Sequence, residues 1–308
     1  MYEKTGKIWL DGKLIPWKEA NVHIMTHSLH YGVGVFEGIR YYDCGAKGSA
    51  VFRLTEHMQR MGESAKIMAM KMPYTVKETV SAVLETVRVN GLKEGYIRPL
   101  AFISDEPNAG VWAYDNPVRM GIMTYGWGAY LGKEGVEKGI RTRVSSYTRH
   151  HRNIGMTKAK VTGQYFNSVL AKREAKLAGC DEAIMLDTEG FVAEGTGENI
   201  FVVRNNVVRT PMPGAILQGI TRNTIMTLLK EDGVEVREDV ITRDDLYTAD
   251  EVFLTGTAAE VTPVREVDHR DVGTGTPGPI TRKLQKMYST LVRGGDPRHQ
   301  AWLTFVQS

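Results

Sequence analysis

Apolar and polar residues change rhythm along this chain often enough to mark out its elements. KIWLDGKLIPW, residues 7 to 17, carries two apolar-rich stretches around Asp11 and Gly12. That pair can take the positive φ angles of a tight turn, so the pattern predicts a β-hairpin. From Leu54 to Met72 the apolar positions return at helical spacing. Thr75 and Glu78 form a capping-box pattern that opens a second helix, which should stop near Gly91. YIRPLAFIS and VRMGIMTYG then read as strands. The second half predicts a strand over 140–147, a helix over about 164–178 ending at Gly179, and strands in EAIMLD, FVAEG and NIFVV. Asn205 and Asn206 turn NIFVV back into VVRTP. Helices follow at about 221–232 and 278–293, with VEVRED and EVFLTG as strands between them. Helices and strands mingle without a regular βαβ alternation. The pattern therefore predicts two α/β domains with mixed sheets, not a doubly wound fold.

A chain of 308 residues is long for one core. WGAYLGKEGVEK, between Gly126 and Gly139, has glycines at 128, 132 and 135, enough backbone freedom for a connection. The expected division is a small first domain over 1–126, an interdomain loop over 127–139 and a larger second domain over 140–308. With 39 basic and 36 acidic residues the net charge is +3, which gives no large field for nucleic acid or an anionic membrane. Cys44 and Cys180 lie far apart and suit a reduced compartment better than a disulfide framework. The N-terminus lacks a signal-like apolar run, and no segment approaches the roughly 18 apolar residues of a membrane span. These features imply a cytoplasmic protein without nucleic-acid or membrane partners.

Several chemistries are excluded by missing motifs. There is no GxxxxGK[ST], HExxH or GxSxG, and no strand-GxGxxG-helix unit. His23, His27 and His30 have no evident carboxylate co-ligand, so no metal site is expected. What remains is a lysine, a carboxylate and two anion-binding turns. Lys160, in KAKVTGQYF, stands between a loop and a helix, and Lys158 lies two residues before it. A lysine becomes a nucleophile only where its ammonium is discouraged by desolvation or nearby positive charge; otherwise it is a solvated surface group. Glu194, in EGTGENIFVV, opens a run that reads as a buried strand, a costly neighbour for a carboxylate. GITRNT, from Gly219, places free backbone NH groups where a helix begins, as an ordinary cap or as a phosphate seat. TGTAAE, from Thr255, is a second small-residue turn directly after a strand. Lysine, acid and anion cups together are what pyridoxal 5'-phosphate requires for its aldehyde, ring nitrogen and phosphate.

HYGVGVFEGIR (30–40), HMQRM (57–61), YIRPL (96–100), WGAYLG (127–132), AKVTGQY (159–165), EGTGEN (194–199), GITR (219–222) and GTAAEVTPV (256–264) occur in one order along the chain. In these motifs the sequence resembles the branched-chain amino-acid aminotransferases, class IV aminotransferases among the fold-type IV pyridoxal-phosphate enzymes, whose fold is D-amino-acid-aminotransferase-like. The resemblance implies transfer of the amino group of leucine, isoleucine or valine to 2-oxoglutarate in a ping-pong cycle. It implies Lys160 as the cofactor-linked lysine and proton carrier, Glu194 on the ring nitrogen and Tyr165 on the phenolic oxygen. Arg60, Gly219, Ile220, Thr221, Gly256 and Thr257 would hold the phosphate end. Tyr96, Thr257 and Ala258 would meet the substrate α-carboxylate. Phe36, Gly38, Trp127 and Tyr130 would line the side-chain pocket, with Arg98, Tyr31 and Tyr130 as donors to an acidic side chain. Tyr31 and Val111 would come from a second subunit, which implies at least a homodimer and leaves a homohexamer open. Gln164 stands where the family commonly has asparagine, and residues 104–117 do not align with a family pattern.

The nearest alternatives keep the cofactor and change the substrate: a D-amino-acid or (R)-amine transaminase, or an aminodeoxychorismate lyase. FEGIR and YIRPL speak against them. An alternative of another class is a catalytically silent protein binding an anion or nucleic acid through RHHR (149–152), a cluster that otherwise reads as a solvated or phosphate-side loop. The near-neutral charge gives that alternative little support.

Overall fold

The computed structural model describes residues 3–128 and 130–306; Ala129, inside the expected 127–139 connection, lies outside them. The chain forms two compact units: Met1–Gly128 with Ala159–Gln164 and Leu291–Ser308, and Ala129–Lys158 with Tyr165–Thr290. The units are therefore not two uninterrupted stretches on either side of 127–139. The six residues around Lys160 and the C-terminal stretch pack with the first unit, and the strand Leu303–Phe305 pairs there with Ser49–Phe52. Part of the expected connection is a short helix, Lys133–Lys138.

Among the described residues each unit holds a nine-stranded sheet. In the first, the strands pair antiparallel around the long strand Gly95–Ile103, which runs against Val118–Gly126 on one side and Ile39–Asp43 on the other. The hairpin of Lys7–Leu10 with Lys13–Pro16 forms as the pattern predicts, with φ of 48° at Asp11 and 89° at Gly12. Side chains alternate across a strand. Ile97, Ala101 and Ile103 accordingly join Val35, Ile39, Tyr41, Leu54 and Met58 in a core beneath the helices Leu54–Ile67 and Val76–Asn90. Tyr96 and Arg98 point to the opposite face. The capping box of Thr75 and Glu78 is formed, and Gly91 ends its helix at φ 67°. The preceding helix ends at Ile67 rather than Met72. Ala69 takes φ 54°, Pro73 disfavours helix in the residue before it, and Met70 still packs into the core, so apolar spacing outlasts the helix.

In the second unit the strand Ile140–Val144 pairs in parallel with both Glu182–Leu186 and Glu260–Val267, and Val207–Pro211 pairs in parallel with Val236–Asp239. The mixed character of the sheets thus resides here. Val192–Gly195 pairs with both Glu182–Leu186 and Asn199–Arg204, so the order of strands returns on itself. Asn205 and Asn206, at φ 51° and 62°, make the turn that returns Asn199–Arg204 as Val207–Pro211. The core of Ile184, Ile200, Val202, Val252, Leu254 and Val264 lies against these strands. The helices Tyr165–Leu177, Ile220–Glu231 and Pro279–Val292 fall where periodicity places them.

Candidate active site

In the first unit, Lys160 is stitched to the sheet by its backbone. Phe36 N donates to Lys160 O at 3.2 Å, and Lys160 N donates to the buried Ser64 Oγ at 3.0 Å. Ala159 and Val161 are core residues, whereas Lys158 is exposed. The two lysines, indistinguishable by composition, thus differ in environment. Lys160 Nζ lies 4.8 Å from the centroid of the Phe36 ring.

Beneath Phe36, Glu37 is fully buried and fully paired. Arg60 clasps it through Nε to Oε1 at 2.7 Å and Nη2 to Oε2 at 2.8 Å, and His57 Nδ1 lies 2.6 Å from Oε2. His57 and Arg60 are three residues apart on one helix, hence on one face. Burial pushes the Glu37 carboxyl up, but the charges of Arg60 and His57 with their hydrogen bonds outweigh it and hold the group well below the usual carboxylate range. Burial lowers His57 despite Glu37, and Arg60 and Lys160 add to that lowering. The consistent state is an ionised Glu37 held by Arg60, with neutral His57 donating from Nδ1. The sequence reading missed Glu37 and His57 because nothing in FEGIR or HMQRM shows that the two segments touch.

On the other face of the strand, the Arg98 guanidinium lies 5.0 Å from the Phe36 ring and 5.3 Å from the Tyr96 ring. Tyr96 meets Trp127 edge-on at 4.7 Å, and Arg40 donates to the carbonyls of Trp127 at 3.2 Å and Gly128 at 2.9 Å. Gly38 is required here, since a Cβ would sit 1.9 Å from the Tyr96 hydroxyl. Tyr31 and Val111 stand on exposed segments held side by side: Tyr31 Oη donates to Ala109 O at 3.4 Å, and His27 Nε2 lies 3.1 Å from Gly110 O. Within 104–117, Asn116 Nδ2 donates to the carbonyls of Ser104 and Asn108 at 3.0 and 2.8 Å, closing the base of that segment.

In the second unit, Glu194 is 6% exposed and has its own counter-charge. Arg149 Nη2 lies 2.7 Å from Oε1, and Oε2 accepts from Leu217 N at 3.1 Å and Asn199 Nδ2 at 3.3 Å. Arg149, the first residue of RHHR, is therefore not solvated; it is the buried partner that sequence reading missed. Asn199 also donates to Leu217 O at 2.9 Å and so ties the Glu194 strand to the approach of the helix Ile220–Glu231. Gly219, the N-cap of that helix, touches the same group: a Cβ there would stand 2.0 Å from Asn199 Oδ1. The helix thereby starts beside Glu194, with the NH groups of Ile220 and Thr221 in its first turn. Arg222 is buried and braced on Thr210 Oγ1, Pro211 O and Glu238, so in GITR the arginine fixes the helix start.

Gly256, Thr257 and Ala258 lie at the turn between the paired strands Glu251–Gly256 and Glu260–Val267. Gly256 abuts the EGTGEN turn, where an added Cβ would meet Gly197 O at 3.4 Å and Glu198 Cγ at 3.5 Å. Glu198 is buried; desolvation first, then the charge of Glu182, pushes its carboxyl up to about 8. Tyr165 heads its helix, and Tyr130 is 37% exposed. Among the described residues there is no cluster of metal-ligating side chains, and no helix is long and apolar enough to cross a membrane.

The family model for class IV amino-transferases matches residues 34–267, a span containing Lys160, Glu194 and both turns. The chain belongs to the class IV aminotransferases. A branched-chain-amino-acid aminotransferase of Pseudomonas aeruginosa is 52% identical over 307 residues, covering 100% of this chain and 99% of the relative. The crystal structure of a T.th. branched-chain amino acid aminotransferase with pyridoxamine 5'-phosphate superposes with a TM-score of 0.96 at 47% identity, covering 99% of this chain and 100% of that one. The T.th. enzyme complexed with N-(5'-phosphopyridoxyl)-L-glutamate gives a TM-score of 0.93 at 45% identity, with the same coverage. The family and the two-sheet fold are thus those that the ordered motifs imply.

Proposed function

We propose that the protein is a pyridoxal-phosphate-dependent branched-chain amino-acid aminotransferase that passes the amino group of leucine, isoleucine or valine to 2-oxoglutarate, reversibly. The observation that carries this reading is Arg98 lying across Phe36 and Tyr96. One apolar wall with a guanidinium at its surface suits an aliphatic side chain and the distal carboxylate of glutamate, which would be costly to bury without donors. The residues also fit the cofactor: a semi-buried lysine over an aromatic ring, a buried carboxylate, and a glycine-started helix at which no larger residue would fit.

Bound pyridoxal phosphate supplies an electron sink for negative charge developing at the substrate Cα. Lys160 would be the residue that holds the cofactor's aldehyde end and the group that carries the substrate Cα proton, with its Nζ over the Phe36 ring. Glu194, paired with Arg149, would face the ring nitrogen, and Tyr165 would face the phenolic oxygen. Arg60, held by Glu37, and the NH groups of Ile220 and Thr221 with the Thr257 hydroxyl would be the groups that hold the cofactor's phosphate. Tyr96 with Thr257 and Ala258 orients the α-carboxylate, and Tyr31 and Val111 of a second copy complete the side-chain pocket. The exposure of Ile24 (73%), Leu29 (59%), Val111 (80%) and Trp112 (68%) supports an apolar face that a second copy covers. The proposed functional division keeps 1–126 as the small domain, against whose sheet the Lys160 segment packs, and 140–308 as the larger stretch that carries Lys160 itself, the acid and the anion turns.

An absorbance titration of the holoenzyme tests the reading. L-Leucine and L-glutamate should each discharge the band of the lysine-linked cofactor, and D-alanine should not. Lys160→Ala should lose the response, and exposed Lys158→Ala should retain it. A response to D-alanine but not to L-leucine would move the assignment to the D-amino-acid branch.

A further inference from the structure

The helix Tyr165–Leu177 and the strand Glu182–Leu186 enclose an ion pair that the proposed chemistry leaves unused. Glu182 is wholly buried and fully engaged: Oε1 accepts from Ala183 N at 2.8 Å and Thr196 Oγ1 at 2.7 Å, and Oε2 pairs with Lys172 Nζ. Removing two charges from water is expensive, so such a pair is weak evidence for stability and invites another explanation. Thr196 supplies part of one, because it ties Glu182 to the EGTGEN turn. The Lys172 ammonium supplies the rest: it lies 5.3 Å from the centroid of the Tyr130 ring, within cation–π range. Tyr130 stands in the stretch between Gly128 and Gly132, outside any strand or helix, where the backbone alone does little to fix a ring. Glu198 sits beside the pair, and its carboxyl, pushed up to about 8 by burial and by Glu182, is a neutral neighbour near pH 7. Glu182, through Oε2, holds the ammonium in place under the ring.

We infer that Lys172 is a specificity-determining positioning residue: pinned by Glu182, it holds the Tyr130 ring so that its hydroxyl meets an acidic substrate side chain, favouring glutamate and 2-oxoglutarate over aliphatic partners. The inference rests on the reading above that Tyr130 faces the substrate side chain. An aliphatic side chain does not use the hydroxyl, so leucine should be indifferent to the orientation of the ring.

The half-reactions of the holoenzyme with L-glutamate and L-leucine, measured separately by stopped-flow absorbance, provide the test. Lys172→Met combined with Glu182→Gln removes the ammonium without stranding a buried charge. It should lower kcat/KM for L-glutamate about three- to tenfold, through KM, and leave L-leucine within about twofold. Calorimetric affinity for glutarate, which cannot react, should fall by the same factor, and Lys172→Arg should keep the wild-type ratio of the two substrates. Equal losses for both substrates, or no loss for glutamate, would overturn the inference. Tyr130→Phe separates the two levels of argument. If it selectively impairs L-glutamate while the double variant does not, Lys172 has no such role; if it shows no selectivity, the placement of Tyr130 against the substrate fails and the inference falls with it.

Discussion

A buried carboxylate is tolerated only where its surroundings decide its charge, and four glutamates here show different solutions. Glu37 is held ionised because Arg60 grips both oxygens, whereas Glu194 meets Arg149 and two NH donors and Glu182 meets Lys172 and Thr196. Glu198 has no comparable cation of its own, and burial pushes it up to about 8 from an ordinary 4.5. The folded state therefore holds that proton more tightly than the unfolded chain. Stability from the neutral carboxyl is fully present below the unfolded value and is lost as pH rises through about 8. Glu198→Gln keeps the shape and removes the loss. Its stability relative to wild type, and its Tm with it, should rise steadily between pH 5 and about 8 and then level off, the stability difference approaching a few kcal/mol at about 1.4 kcal/mol per pKa unit. Thermal melts across that range check it, and a pH-independent difference would mean that Glu198 does not carry the proton.

At the scale of elements, two glycines distinguish helix geometry from site geometry. Gly62 lies inside Leu54–Ile67 with no heavy atom within 4 Å of the place a Cβ would take, so Gly62→Ala should stabilise the protein by about 0.5–1 kcal/mol through helix propensity. Gly219 starts Ile220–Glu231 at a normal φ of −68°, yet its Cβ would collide with Asn199 Oδ1. Gly219→Ala should cost about 1–3 kcal/mol from overpacking. It should also weaken cofactor binding, because the displaced Asn199 serves Glu194 and Leu217. Chemical denaturation and cofactor dissociation measured on both variants would show opposite signs in stability and a binding defect confined to Gly219→Ala.

For the whole molecule, the exposed apolar residues Ile24, Leu29, Val111 and Trp112, proposed to form one face, set the expectation for assembly. A self-complementary contact places the same patch twice, so one charge introduced there is met by its own copy. Wild-type protein should sediment as a dimer or larger, and Trp112→Glu should shift it toward monomer. Activity should fall with dissociation, since Tyr31 and Val111 are proposed to serve the partner's pocket. A variant that sediments unchanged, or a monomeric wild type, would remove the shared-pocket proposal.

Sequence alone determined what short-range physics controls. The Asp11-Gly12 hairpin, the Thr75 capping box, the Asn205-Asn206 turn and most helix spans follow from local propensity and periodicity, and the ordered motifs marked the family before any tertiary contact entered. Only the tertiary structure decided which side chains meet. FEGIR and HMQRM do not reveal that Glu37, His57 and Arg60 form one cluster, nor does RHHR show that Arg149 leaves solvent to neutralise Glu194. The helix that periodicity carries to Met72 stops at Ile67, because Met70 satisfies the core without being helical. Ala159–Gln164 and Leu291–Ser308 join the first unit against their order in the chain. The reason is common to all of these: hydrogen bonds, ion pairs and core contacts between distant segments depend on three-dimensional proximity, whereas turns, caps and amphipathic spacing are written within a few consecutive residues.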